Sequence, residues 1–160
     1  MLTVTNESLL KEPPARVWTA LTRFADYSRW HPFVRLSGEA RAGEEIRVRF
    51  IGQDGKQILR PMAAHILVAE MHLQLGIRFG FGRLISFDEC YELVPQPAGT
   101  FLIHSLTCRG FLSPFVPSRV LRGNFTKFLE ASDRNLAQHL SVERRGGVHP
   151  PQARRPRTRR

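Results

Sequence analysis

From Glu45 to Ile51 the chain alternates cleanly: Ile46, Val48 and Phe50 point one way, Arg47 and Arg49 the other. That period of two marks a strand with one buried face. Met71 to Phe79 repeats it, with Met71, Leu73, Leu75, Ile77 and Phe79 sharing a face. Leu84 to Val94 and Thr100 to Arg109 are two more such runs, joined by Pro95-Gln96-Pro97-Ala98-Gly99. Leu2 to Leu10 and Phe33 to Ala40 also read as strands. Asp54-Gly55 is a hairpin signal, and Gln57 to Val68 is the returning strand, in which Pro61 demands an edge position or a bulge. Helical spacing first occurs behind Pro13-Pro14, where Val17, Leu21 and Phe24 line one face. Asp26 is placed to cap a second short helix that His31-Pro32 stops after Trp30. The longest helix runs from Pro114 to Leu140. Val120, Leu121, Phe125, Phe128, Leu129, Leu136 and Leu140 form its apolar stripe, and Pro117 leaves its entry irregular.

The order is strand, two short helices, six strands, long helix. A long helix laid across an antiparallel sheet is a two-layer α+β domain. In Leu84 to Val94 the more apolar face holds Ile85, Phe87, Tyr91 and Leu93, and it takes Glu89 inward with them. Alternation leaves the next strand open: either Leu102, His104, Leu106 and Cys108 face inward, or Phe101, Ile103 and Ser105 do. The helix stripe turns more polar in its second half. An inward acid beside a partly polar helix face points to a pocket rather than a solid core.

Charge changes this picture little. The net charge is +10, but residues 141–160 carry +6 of it, with seven arginines against Glu143. The rest of the chain is only mildly basic and lacks a basic stripe interleaved with exposed aromatics, so no specific nucleic-acid partner is expected. Residues 1–141 read as one domain and 142–160 as a disordered Arg/Pro-rich tail with no apolar face, capable at most of weak contact with anionic surfaces. No apolar run approaches the roughly 20 residues of a membrane span. The N-terminus shows no secretory signal, and Cys90 and Cys108, on opposite faces of neighbouring strands, read as reduced thiols in a cytoplasmic protein. Neither the six histidines nor the two cysteines have metal-ligand spacing, so no metal and no cofactor is expected.

Pro13-Pro14-Ala15-Arg16-Val17-Trp18 and Tyr27-Ser28-Arg29-Trp30-His31-Pro32-Phe33, followed by Gly38, Tyr91-Glu92-Leu93, His104, Gly110 and the helix from Leu129 to Leu136, resemble the START-like helix-grip superfamily. That superfamily, often abbreviated SRPBCC, includes polyketide cyclases, lipid-transfer domains and plant hydrophobic-ligand carriers. The resemblance covers roughly residues 2–140. It implies a curved seven-stranded antiparallel sheet around the terminal helix, a cavity between them, and His104 turned inward. Many members carry a His where Glu89 stands and a Glu where Leu106 stands; this chain departs from both. Trp18 and Trp30 read as packing anchors of the short-helix segment.

With the hairpin centred near Gln96-Pro97-Ala98, Leu93 lies opposite Leu102, Tyr91 opposite His104 and Glu89 opposite Leu106. Glu89 and His104 are then diagonal neighbours. An inward carboxylate, phenol and imidazole form a mutually satisfied polar group, orient a ligand, or move protons at a carbonyl. Considered alone, an inward Glu89 costs desolvation, and its replacement by Leu reads as tolerated. The expected apolar walls are Val48, Phe50, Leu73, Leu75, Phe87, Leu102, Phe125 and Phe128, with Glu89, Tyr91, His104 and Asn124 as polar groups. Arg109, Arg119 and Arg122 fall near one expected pocket mouth, as a solvated basic rim or an anion contact. Three functions follow: binding, for carriage or sensing, of a hydrophobic small molecule or lipid; a polyketide cyclase or dehydrase chemistry using His104, Glu89 and Tyr91; or tail-mediated binding of RNA or anionic lipid. Oligomeric state is not legible.

Overall fold

The computed structural model describes residues 1–115 and 117–146. Strand β1 (Leu2–Leu10) is followed by helix α1 (Pro14–Thr22), a 3-10 turn (Phe24–Asp26) and the single-turn helix α2 (Tyr27–Trp30). Six strands follow: β2 (Val34–Ser37), β3 (Glu45–Phe50), β4 (Met62–Glu70), β5 (Gln74–Gly80), β6 (Ser86–Gln96) and β7 (Gly99–Arg109). A second 3-10 turn (Ser113–Phe115) precedes helix α3 (Ser118–Gly146). The seven strands form one antiparallel sheet in the order β1-β7-β6-β5-β4-β3-β2, curled into a half-barrel, with α3 packed against β1 and β7. Strands β2 to β7 are a simple meander. Only the β1–β2 connection crosses the sheet, and α1 and α2 make that crossing.

Local chemistry explains most of these elements. Pro13 and Pro14 supply extended backbone and a first helical turn that needs no N–H donor. Val17, Ala20 and Leu21 bury the inner face of α1. Trp30 is buried and Trp18 partly so, both against the main core. Asp26 does not cap α2. The 3-10 turn runs straight into the helix and leaves Asp26 near φ −90°, ψ −2° instead of in the extended region a cap requires. Its carboxylate sits between Arg23 at 3.8 Å and Arg29 at 3.5 Å.

The hairpin β6–β7 has the expected register, with Leu93 opposite Leu102, Tyr91 opposite His104 and Glu89 opposite Leu106. Gly99 closes it at φ 139°, where a side chain would collide with the Leu10 carbonyl. Inner and outer faces follow from this register. Leu102, His104, Leu106 and Cys108 are buried, while Cys90 lies on the other face, and both cysteines are free thiols.

Several boundaries differ from the sequence reading. Strand β2 is shorter, ending at Ser37. Strand β4 begins only after Pro61; residues 57–60 touch the sheet through a single bridge, Ile51 to Gln57. Proline has no N–H to give the ladder, so regular pairing begins only after it. Glu70 pairs with Gln74, so Met71 to Leu73 make a tight turn, with His72 in the left-handed region at φ 63°. Leu73, expected in a cavity wall, is therefore 52% exposed. Helix α3 starts at Ser118, behind Pro117, and Val120 is exposed rather than part of the stripe. The helix also continues past residue 141 to Gly146, where Arg144 reaches Glu12 at 3.5 Å. Residues 142–146, which the sequence reading assigns to the tail, are therefore helical. The rest of that tail, 147–160, lies outside the described residues.

Candidate functional site: an apolar cavity above a buried ionic network

Two features occupy the space between sheet and α3, and they are separate. The first is a cavity of about 580 Å³ under the first half of α3. Phe50, Phe79 and Phe87 form an aromatic row along the inner face of β3, β5 and β6, with ring centroids 5.4 and 5.5 Å apart. Phe125 of α3 meets the end of this row edge-on at 5.8 Å, and Phe128 stacks on Phe33 at 5.4 Å. Beyond the Val48–Met62 pair, strands β3 and β4 no longer pair, and Ile51, Ile58, Leu59 and Met62 line the gap that opens there. Asn124 and Lys127 are the polar side chains on its lining, and both are solvent-exposed.

The second feature lies deeper. The His104 ring is fully buried between two carboxylates: Nδ1 is 2.7 Å from Asp133 Oδ1 and Nε2 is 3.1 Å from Glu89 Oε1. The Tyr91 hydroxyl donates to the same Glu89 oxygen at 2.8 Å, and Asn6 Nδ2 donates to Asp133 Oδ2 at 2.6 Å. Tyr91 also stacks on the imidazole, with centroids 3.9 Å apart. The sheet places these groups: Asn6 and Tyr91 flank His104 as its two cross-strand partners. The helix supplies Asp133 from the stripe that includes Leu129 and Leu136.

An imidazolium fits this geometry, because it donates from both ring nitrogens to the two carboxylates. Burial, the largest influence, acts to lower the His104 pKa, but the hydrogen bonds and charges of Asp133 and Glu89 override it and raise it to about 9. Glu89 is held below its ordinary 4.5; burial pushes upward, and His104, His31 and the Tyr91 hydroxyl outweigh it. Nearby His31 behaves oppositely. Burial lowers its pKa from 6.5 to about 3, and its Nδ1 accepts the backbone N–H groups of Phe33 and Val34, a role only the neutral ring fills.

These opposite shifts predict a dome-shaped stability profile. A raised His104 pKa contributes stability fully present below pH 6.5 and lost as pH rises through about 9. A lowered His31 pKa does the reverse: its contribution is present above 6.5 and lost as pH falls toward about 3. Glu89 adds to the acid loss as pH falls through its lowered value. Urea unfolding across pH is expected to peak near neutrality and lose on the order of a few kcal/mol on the alkaline side. Stability that keeps rising through pH 9 would show that the network carries no imidazolium.

Of the residues expected to build the site, Phe50, Phe87, Asn124, Phe125 and Phe128 line the cavity. Val48, Leu75 and Leu102 are sealed in solid core, and Leu73 is at the surface. Glu89, Tyr91 and His104 belong to the network and are not on the cavity lining. Arg109 pairs with Asp88 at 2.9 Å and is not on the cavity lining. Missed by sequence reasoning were Asp133 and Asn6 in the network, His31 beside it, and among others Phe33, Met62, Phe79 and Leu106 in the cavity. Asp133 had a signal: it sits at helical spacing between Leu129 and Leu136, an acid inside a buried stripe. Among the described residues no cluster of His, Cys, Asp and Glu is arranged to hold a metal ion.

A curled antiparallel sheet gripping a C-terminal helix over an apolar cavity defines a START-like helix-grip protein. The chain belongs to the family described as polyketide cyclase / dehydrase and lipid transport, whose model matches residues 1–141. Solved structures agree on the fold. A protein from Mesorhizobium loti, 20% identical, aligns with a TM-score of 0.68 over 88% of this chain and 98% of its own. A protein from Nitrosomonas europaea, 16% identical, gives 0.72 over 90% and 97%. DynU16, a putative protein in the dynemicin biosynthetic locus, is 22% identical and gives 0.65 over 88% of this chain and 48% of its own. Comparison with curated proteins gave no match.

Proposed function

We propose that this chain binds a hydrophobic small molecule or lipid, for carriage or sensing, in the cavity between the sheet and the first half of α3. The observation that carries this reading is the separation of the two features: the roomy space is walled by aromatic and aliphatic side chains, and the titratable groups lie packed beneath it. A volume of about 580 Å³ suits a drug-sized or single-chain ligand. Asn124 and Lys127 at the rim leave a polar or anionic head group near solvent while the apolar body is enclosed. Native mass spectrometry of the purified protein is expected to show a co-purified small molecule, and an apolar dye to bind and be displaced by long-chain ligands. A bare mass together with no dye binding would sink the reading.

A second reading, proton transfer of the cyclase or dehydrase type, rests on one observation. Glu89 Oε2 takes no hydrogen bond among the described residues, and Glu89 is one inner-face step from Phe87 at the cavity wall. Against it, both nitrogens of His104 and both oxygens of Asp133 are already engaged within the network, so neither group presents an open atom to a substrate. Turnover of a poly-carbonyl substrate that disappears in Glu89→Gln while dye binding persists would favour this second reading.

A further inference from the structure

Exposed apolar side chains concentrate at one end of the molecule. Phe81, Phe111 and Phe115 are 66%, 67% and 82% exposed, and Ile58 is 63% exposed. They come from three separate connections: β3–β4, β5–β6 and β7–α3. In an antiparallel meander β3, β5 and β7 run the same way, so these three connections leave the sheet at the same end. Hydrogen bonds tie two of them together: Phe111 N donates to Arg83 O at 3.1 Å, and Leu112 N to Leu84 O at 2.9 Å. Ile58, Leu59 and Phe81 also line the cavity, so this end carries its mouth. Among the described residues, most of the surface of Phe111 and Phe115 is left uncovered.

The charge around these tips is one-sided. Segments 51–61, 81–85 and 110–128 hold six cations (Lys56, Arg60, Arg83, Arg119, Arg122 and Lys127) against one acid, Asp54. All six are exposed, and Arg83 lies 5.9 Å over the Phe111 ring. Apolar tips set among cations match the interfacial layer of an anionic bilayer. The rings enter the acyl boundary, and the cations meet phosphate and carboxylate head groups. A second copy of this chain is the poorer occupant, because a two-fold contact through this rim would bring the same six cations face to face.

We propose that this rim is a docking surface for anionic membranes. The inference stands on the rim alone; if the cavity takes a lipid, docking would also let the ligand pass between bilayer and cavity without crossing water.

The test uses the full chain and sedimentation with vesicles of pure phosphatidylcholine or of equimolar phosphatidylcholine and phosphatidylglycerol. Binding is expected to the anionic vesicles and to weaken with salt. Phe111→Ser with Phe115→Ser is expected to lower partitioning at least about tenfold, the effect of keeping roughly half of one buried ring out of the bilayer. Arg119→Gln with Arg122→Gln should weaken it at low salt. Neither pair lines the cavity, so the thermal midpoint and apolar-dye binding should be retained. Dye binding that fails while vesicle binding persists would count against the cavity ligand and leave docking intact. Three results overturn the proposal: no binding to anionic vesicles, binding indifferent to the rim pairs but abolished by replacing the arginines beyond residue 150, or a dimer that the Phe111 and Phe115 changes dissociate.

Discussion

Replacing His104 by Leu is expected to destabilise the fold by about 3–5 kcal/mol, the range for stranding a charge in a buried pair. The change leaves Glu89 and Asp133, both almost fully buried, with no cation between them. Asn6 and Tyr91 each donate one hydrogen bond to these carboxylates, which does not offset two uncompensated charges. The deficit should shrink as pH falls, because protonating the carboxylates removes the uncompensated charge. Replacing His104, Glu89 and Asp133 together by Leu should recover most of the loss, since an apolar group of similar volume often substitutes for a buried ionic cluster at little cost. Urea unfolding at neutral and acid pH reads all of these. A loss below about 1 kcal/mol for His104→Leu would mean that water reaches the network. The expectation that Glu89→Leu is harmless does not survive the geometry. That change leaves the Tyr91 hydroxyl and His104 Nε2 without their acceptor, and a cost of about 1–3 kcal/mol follows.

Phe128 and Leu129 are adjacent on α3, yet truncating them should have different consequences. Leu129 is completely buried, and Leu129→Ala should cost about 2–5 kcal/mol through lost burial and a new void. Phe128 already borders the cavity and is only half-buried, packed against Phe33 and His31. Phe128→Ala should therefore fall below the roughly 3–5 kcal/mol of a phenylalanine removed from solid core. It enlarges a space that exists rather than creating one. It should also change the affinity for an apolar dye, whereas Leu129→Ala should leave that affinity alone. Denaturation of both variants with and without dye makes the comparison. Full core cost for Phe128→Ala, with dye binding unmoved, would mean that no usable cavity lies beneath this part of the helix.

The ionic network sets how the cavity and the sheet relate. It fastens α3 to β1, β6 and β7 by hydrogen bonds from residues far apart in the chain, and it lies where a continuous apolar core would otherwise be. The first half of α3 has no such fastening. There Phe125 meets the Phe87 ring of the sheet edge-on, and the space a ligand would fill lies beside that contact.

Sequence by itself determined whatever depends on neighbours in the chain. The register of β6 and β7 follows from where their short connection is centred, so Tyr91 beside His104 was legible before any tertiary contact. Glu89 was placed inward by the apolar residues at two-residue spacing around it. The α1 start at Pro13-Pro14 and the stripe from Phe125 to Leu140 were legible for the same reason. Only the tertiary structure decided what depends on distant segments meeting. Asn6 and Asp133 are 127 residues apart, and nothing local to either says that they share a proton. A polar second half of the helix face suggested a pocket there, but His104 fills that place, and the cavity lies under the more apolar first half. A cavity is the space where side chains from separate elements fail to reach one another. Its position follows from how β3 and β4 part beyond Val48 and how α3 sits across the sheet, and no period along the chain encodes either.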